Sequence, residues 1–205
     1  DGNAVFHSDI PLGFKYSVKE SQAPDKYYKS DAVYTFTYEY KNDSTYTYTF
    51  EHEFKNEEVR GEIRVKKIDK DSLDFIAQGD AKMVGARYGL YAAEDIQHPN
   101  KKSGTVHRTG ELVAQGQISS EGTLDFTNLY LGNYIVKEIE PAEGYLLDET
   151  EYPVSVAYEG QEVKIVHRDI TVRETVKKQA FQLIKISEDG EQTETDLVEG
   201  AGFKV

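Results

Sequence analysis

No cysteine occurs among the 205 residues. Disulfides and thiolate metal centres are therefore excluded, along with small folds built on a disulfide framework. Basic residues are in deficit: 24 Lys and Arg against 37 Asp and Glu leave a net charge of −13. So acidic a chain is repelled by nucleic acid and by anionic membrane surfaces, and neither is expected as a partner. No apolar run approaches the ~20 residues of a membrane-spanning helix. No signal peptide opens the chain, which starts at Asp1-Gly2-Asn3 as if inside a domain. Prolines number only five, and no helix of useful length is signalled. Nucleophile-elbow and phosphate-loop signatures are missing, so a conventional enzyme is not expected and no cofactor is called for.

Abundant Thr, Tyr, Val and Gly suits many short strands. A short strand is read at Ala4–Phe6. The clearest alternation runs from Val33 to Phe54: Tyr34, Phe36, Tyr38 and Tyr40 share one face, then Tyr46, Tyr48, Phe50, His52, Phe54 and Asn56 after a turn at Lys41–Ser44. Further strands are expected at 63–69, 85–91, 111–118 and 123–126, and a hairpin of Pro153–Tyr158 with Val163–Val172 about Glu159-Gly160. Residues 96–110 read as a polar loop.

The chain is organised around Tyr134-Ile-Val-Lys-Glu138-Ile-Glu-Pro141-Ala-Glu-Gly144-Tyr145. A period of two places Tyr134, Val136 and Glu138 on one face, so a carboxyl points where core residues point. A buried glutamate must be protonated, paired or hydrogen-bonded. The phrase has an earlier copy, Tyr16-Ser-Val-Lys-Glu20, with Pro24 and Tyr27 following. Lysine shows the complementary oddity. Ile63, Val65 and Lys67 share a face, which sends Lys67 inward and Lys66 to solvent, and Phe181, Leu183 and Lys185 repeat this phasing. In an apolar core lysine is pushed towards its neutral amine and glutamate towards its acid. A neutral amine is a nucleophile, and a protonated glutamate can polarise a carboxamide and relay protons. Held rigidly together, the groups could form a side-chain amide in a single turnover, releasing ammonia from Asn or water from Asp.

These phrases resemble the E-box of CnaB-type (prealbumin-like, SpaA-type) domains of Gram-positive pilins and surface adhesins. Lys66-Lys67-Ile68-Asp69 resembles that family's lysine motif, and Phe54-Lys55-Asn56 with the linker Gly61 resembles its closing strand. The resemblance covers nearly the whole chain. It implies an all-β fold, a Greek-key β-sandwich with prealbumin-like CnaB modules in tandem: 1–60 the C-terminal half of a first module, 61–176 a complete module, 177–205 the N-terminal start of a third. It implies autocatalytic Lys–Asn or Lys–Asp isopeptide bonds and an extracellular, cell-wall-attached stalk or spacer of a Gram-positive bacterium. Carried over, Lys67 and Lys185 are isopeptide nucleophiles, Glu138 and Glu20 the catalytic acids, and Asn56 the acceptor of the first module.

The acceptor of the middle module departs from the pattern. Asn56 follows Glu20 by 36 residues, and the same count from Glu138 reaches Glu174. Asp169 is the usual acceptor type nearby, in phase with Val163 and Ile165, whereas Glu174 is in phase with Ile170 and Val172. The expectation is an unreacted Lys67–Glu138 pair in this module, with Asp169 as acceptor if a bond forms.

Other candidates carry less. His98 and His107 lack a close metal-ligand spacing. Asp69, Asp71 and Asp74 resemble a calcium loop only faintly, because Leu73 stands at a ligand position. The alternative function is a ligand-binding adhesin module that contacts a host protein or glycan through its loops, especially 95–110. Expected partners are neighbouring modules of a longer chain. Exposed apolar faces at 1–60 and 177–205 lead to a further expectation of head-to-tail self-association through the two ends.

Overall fold

The computed structural model describes residues 5, 10–44, 51–183 and 204. The expected strand at Ala4–Phe6, the aromatics Tyr46, Tyr48 and Phe50, and Lys185 lie outside the described residues, apart from Val5. Among the described residues all regular structure is strand. In chain order the strands are β1 (Lys15–Lys19), β2 (Tyr27–Tyr28), β3 (Val33–Thr37), β4 (Glu57–Glu58), β5 (Arg60–Asp69), β6 (Arg87–Ala92), β7 (Ile96–Gln97), β8 (Thr105–His107), β9 (Leu112–Gln117), β10 (Thr123–Leu129), β11 (Gly132–Glu140), β12 (Tyr152–Val156) and β13 (Ile165–Glu174).

Two sheets build the larger part. One has the order β10-β5-β13, the other β12-β11-β6-β9. Alternating side chains from both line a single core that contains Ile63, Val65, Tyr88, Leu90, Phe126, Tyr134 and Val136. This is the β-sandwich that the period-two pattern predicts, because each strand has one apolar face to bury. Close packing also shapes the main chain. A Cβ at Gly61 would overlap the Val156 side chain, so only glycine lets β5 approach β12 there.

β5 and β13 are parallel neighbours over ten residues, Ile165 opposite Arg60 through to Glu174 opposite Asp69, with no register shift. The expected hairpin of β12 with β13 is therefore not formed. β12 pairs with β11, while β13 crosses to the other sheet. A period of two reveals which face is inward but not which sheet supplies the neighbour. The polar loop 96–110 also carries the short β7–β8 ribbon.

Residues 10–58 repeat part of this plan. β1 pairs antiparallel with β3, with Tyr16 opposite Phe36 and Val18 opposite Tyr34. In the sandwich Tyr134 lies opposite Val154 and Val136 opposite Tyr152. Every partner in the second set follows its counterpart in the first by 118 residues (134 − 16, 154 − 36). The β1–β3 pair thus has the register of the β11–β12 pair.

Candidate functional site: a buried lysine and two glutamates

β5 and β13 set the two sides of the site. Lys67 follows Ile63 and Val65 on the inward face of β5 and is fully buried. On β13 the uninterrupted alternation turns Val166, Val172 and Glu174 inward, and Glu174 is also fully buried. The Lys67 Nζ and Glu174 Oε2 atoms are 2.5 Å apart. The contact is an ion pair by distance without the alignment of a hydrogen bond. The other Glu174 oxygen accepts a hydrogen bond from the Tyr88 hydroxyl at 2.6 Å. Burial and the adjacent Glu174 carboxyl push the Tyr88 phenol far up, so it remains a donor.

Glu138 comes from β11, in phase with Tyr134 and Val136, and pairs across the sheet with Tyr88. Its Oε2 accepts the Asp148 backbone N–H at 2.6 Å. Desolvation raises its pKa to about 8, opposed by the Asp148 N–H, reinforced by the charge and hydrogen bond of Glu174, and eased by Lys67. Among the described residues, Glu138 Oε1 and Glu174 Oε2 are the buried carboxyl oxygens without a hydrogen-bond partner. One carboxyl proton carried by Glu138 and directed to Glu174 gives both a partner. The Lys67 amine and the Tyr88 hydroxyl face Glu174, whereas Glu138 faces the Asp148 N–H.

Two further residues hold the lysine in place. The Tyr145 ring lies 4.7 Å from Lys67 Nζ, a cation–π distance. Its hydroxyl donates to Asp69 Oδ2 at 3.0 Å. Asp69 is buried on the same face of β5 as Lys67 and also accepts the Asp71 and Ser72 N–H groups and the Gln78 amide. Burial raises the Asp69 pKa, but those hydrogen bonds outweigh it and leave the carboxyl below its ordinary value. Tyr88, Tyr145 and Asp69 were not read as site residues in the sequence. Signals were present for two of them: Tyr145 closes the phrase that carries Glu138, and Asp69 stands two residues after Lys67.

Asp169 is not at this site. It is exposed on β13, opposite Arg64, on the face that also presents Ile165 to solvent. The other two predicted residues do meet. Asn56 Nδ2 donates to Glu20 Oε2 at 2.6 Å, and Glu20 Oε2 also accepts the Ser30 N–H at 2.8 Å. Ser30 is ten residues after Glu20, as Asp148 is ten after Glu138. The Glu20–Asn56 and Glu138–Glu174 sites are thus built alike, with an amide in one where the other has an acid. His98 faces Glu58 at 3.2 Å and His107 faces Glu111 at 2.9 Å.

Comparison with known proteins now bears on this arrangement. The family described as the SpaA prealbumin-like fold domain matches residues 61–171, more than half of the chain. The chain belongs to the SpaA prealbumin-like family. Among solved structures, this SpaA-family chain is similar to the Bacillus anthracis TIE protein, at 25% identity and a TM-score of 0.52 over 82% of the chain. It spans 26% of that protein's length. Lower similarity is found to the group B streptococcus pilus 2b backbone protein, at 16% identity and a TM-score of 0.40, covering 77% of this chain and 52% of that one. The major pilin subunit BcpA of Bacillus cereus shows 14% identity and a TM-score of 0.39, covering 82% and 41%. No curated protein matches the chain in sequence.

Proposed function

We propose that this chain is a structural stalk segment of a cell-surface adhesin or pilus protein of a Gram-positive bacterium. The observation that carries the reading is the fully buried Lys67–Glu174 ion pair, because it joins the first strand of the sandwich to its last. The chain enters the sandwich at the start of β5 and leaves it at the end of β13, and these strands lie side by side and parallel. Tension applied through the two ends therefore shears β5 against β13 and loads their backbone hydrogen bonds together. The ion pair sits near the end where the load leaves. A buried pair of opposite charge resists separation because either partner alone would be left uncompensated in the core.

In the sandwich the lock is ionic, with Lys67 held by Glu174 and the Tyr145 ring. In the preceding segment Glu20 and Asn56 act as acid and acceptor for a lysine placed upstream: the amine attacks the Asn56 carboxamide carbon, Glu20 relays the proton, and ammonia leaves. Such chemistry consumes the protein once and turns over no substrate.

Single-molecule stretching tests the stalk reading. The sandwich is expected to unfold at a clearly lower force when Lys67 is replaced by Met than in the parent chain. Equal forces would show that the Lys67 pair is no mechanical lock. Intact mass reports the chemistry alongside: an ionic sandwich has the full sequence mass, whereas a Lys67 amide to a carboxyl is one water lighter.

A further inference from the structure

The two ends of the sandwich are joined to the chain in the same way. Where the first segment ends, Tyr27 pairs with Glu58, the Val59 N–H donates to Lys26 O at 3.0 Å, and the Tyr27 N–H donates to Pro24 O at 3.1 Å. Where the sandwich ends, Tyr145 bridges Val176, the Lys177 N–H donates to Gly144 O at 2.8 Å, and the Tyr145 N–H donates to Ala142 O at 3.0 Å. Each residue of the second set follows its counterpart by 118 (145 − 27, 177 − 59). Even the strained position recurs: Lys26 has φ 68° and Gly144 has φ 85°, both left-handed. The chain therefore leaves the sandwich with the backbone geometry by which it entered.

At the first junction this geometry is covered. The β12–β13 crossing turn lies on the preceding segment. Gln161 O accepts the Lys29 N–H at 2.9 Å, Gln161 Oε1 accepts the Ala23 N–H at 2.8 Å, and Glu162 pairs with Lys29 Nζ at 2.6 Å. Lys164 pairs with Glu57 at 2.6 Å. The counterparts of Ala23, Lys29 and Glu57 at the second junction are Pro141, Leu147 and Thr175. There Leu146 and Leu147 are 48% and 47% exposed, beside a concavity of about 290 Å³ that Lys70, Arg173 and Thr175 also line.

We propose that Leu146, Leu147 and Thr175 form the docking surface for an acidic crossing turn of a further module of this fold placed after the sandwich. The occupant's chemistry is set by the face. The Leu147 N–H stands where Lys29 donates to a turn carbonyl, so the turn presents its backbone. The apolar Leu146 and Leu147 take the body of the turn, and Lys70 and Arg173 take its acidic side chains, as Lys29 takes Glu162. Two contacts change: Pro141 has no N–H to give, and no cation stands at position 147. The second junction is accordingly more apolar than the first. This inference rests on the tandem stalk reading but not on the chemistry at Lys67.

The chain has no native cysteine, which makes disulfide trapping selective. The probe is the full chain with residues 59–176 duplicated in tandem after Val176. Lys29→Cys with Gln161→Cys in the first copy of the sandwich reports the existing junction, and Leu147→Cys in the first copy with Gln161→Cys in the second reports the proposed one. Under mild oxidation both pairs are expected to cross-link nearly completely. Cross-linking of the 29–161 pair alone, in a protein whose two sandwich copies both unfold cooperatively, would overturn the proposal while leaving the stalk reading intact. Failure of the 29–161 pair, or of the duplicated chain to fold, overturns it too, because the correspondence requires both junctions to be equally acceptable. A Lys67→Met change in the same protein is expected to leave cross-linking unaltered.

Discussion

Replacing Lys67 by Met removes the one buried basic side chain among the described residues, from a core that also holds Glu174 and Glu138. Methionine matches the lysine stem in length, so little cavity is created and the effect reports the charge. Glu174 is then fully buried with only the Tyr88 hydroxyl as a fixed donor. Breaking a buried pair from one side costs about 3–5 kcal/mol. That is a large part of the ~5–15 kcal/mol by which a domain is stable. With a urea slope of ~1–3 kcal/mol/M, the unfolding midpoint drops by at least ~1 M. The double variant Lys67→Met/Glu174→Leu removes the uncompensated charge and should recover most of the loss, giving a coupling of up to ~3 kcal/mol. Equilibrium urea unfolding of the parent, both single variants and the double variant closes the cycle. An unchanged midpoint for Lys67→Met, or a double variant whose loss is the sum of the singles, would refute the pairing. Intact mass of each sample checks that the parent is unreacted, since a bonded parent would be one water lighter than its sequence.

Glu138 should give the sandwich a pH dependence of definite sign. Its carboxyl is raised from 4.5 to about 8 in the folded chain, so the native state holds a proton that the unfolded state releases. The contribution is complete below pH ~4.5, declines as pH rises towards 8, and is gone above it. Glu138→Gln keeps a neutral group there and should flatten stability between those limits, as measured by thermal unfolding across pH. Tyr88→Phe deletes the hydroxyl that serves buried Glu174 and should cost about 1–3 kcal/mol in urea unfolding. Gly61→Val forces a side chain into Val156 and should cost about 1–3 kcal/mol or more, with β5 and β12 exchanging amide hydrogens faster. Asn56→Ala leaves Glu20 without its side-chain donor and is expected to leave the Lys67→Met effect unchanged, because the two sites share no residue.

Local pattern carried far in this protein. Alternation alone sends Lys67 and Glu138 into the core, because a strand offers two faces and their neighbours Val65 and Val136 claim the inner one. The spacing that places Asn56 after Glu20 also leads to Glu174, and the two pairs occupy equivalent positions in the fold. What alternation cannot choose is the partner strand. Both Asp169 and Glu174 lie in apolar phase with some neighbours, Ile165 for one and Val172 for the other, and a single bulge would exchange them. The choice falls to tertiary structure: β13 does not pair with β12 but runs parallel with β5 for ten residues without a bulge, and so keeps one phase throughout. Glu174 is thereby carried inward to Lys67, and Asp169 outward beside Arg64. Tyr88 joins the site for the same reason: it is placed by its pairing with Glu138 across the sheet, which leaves no period in the local sequence.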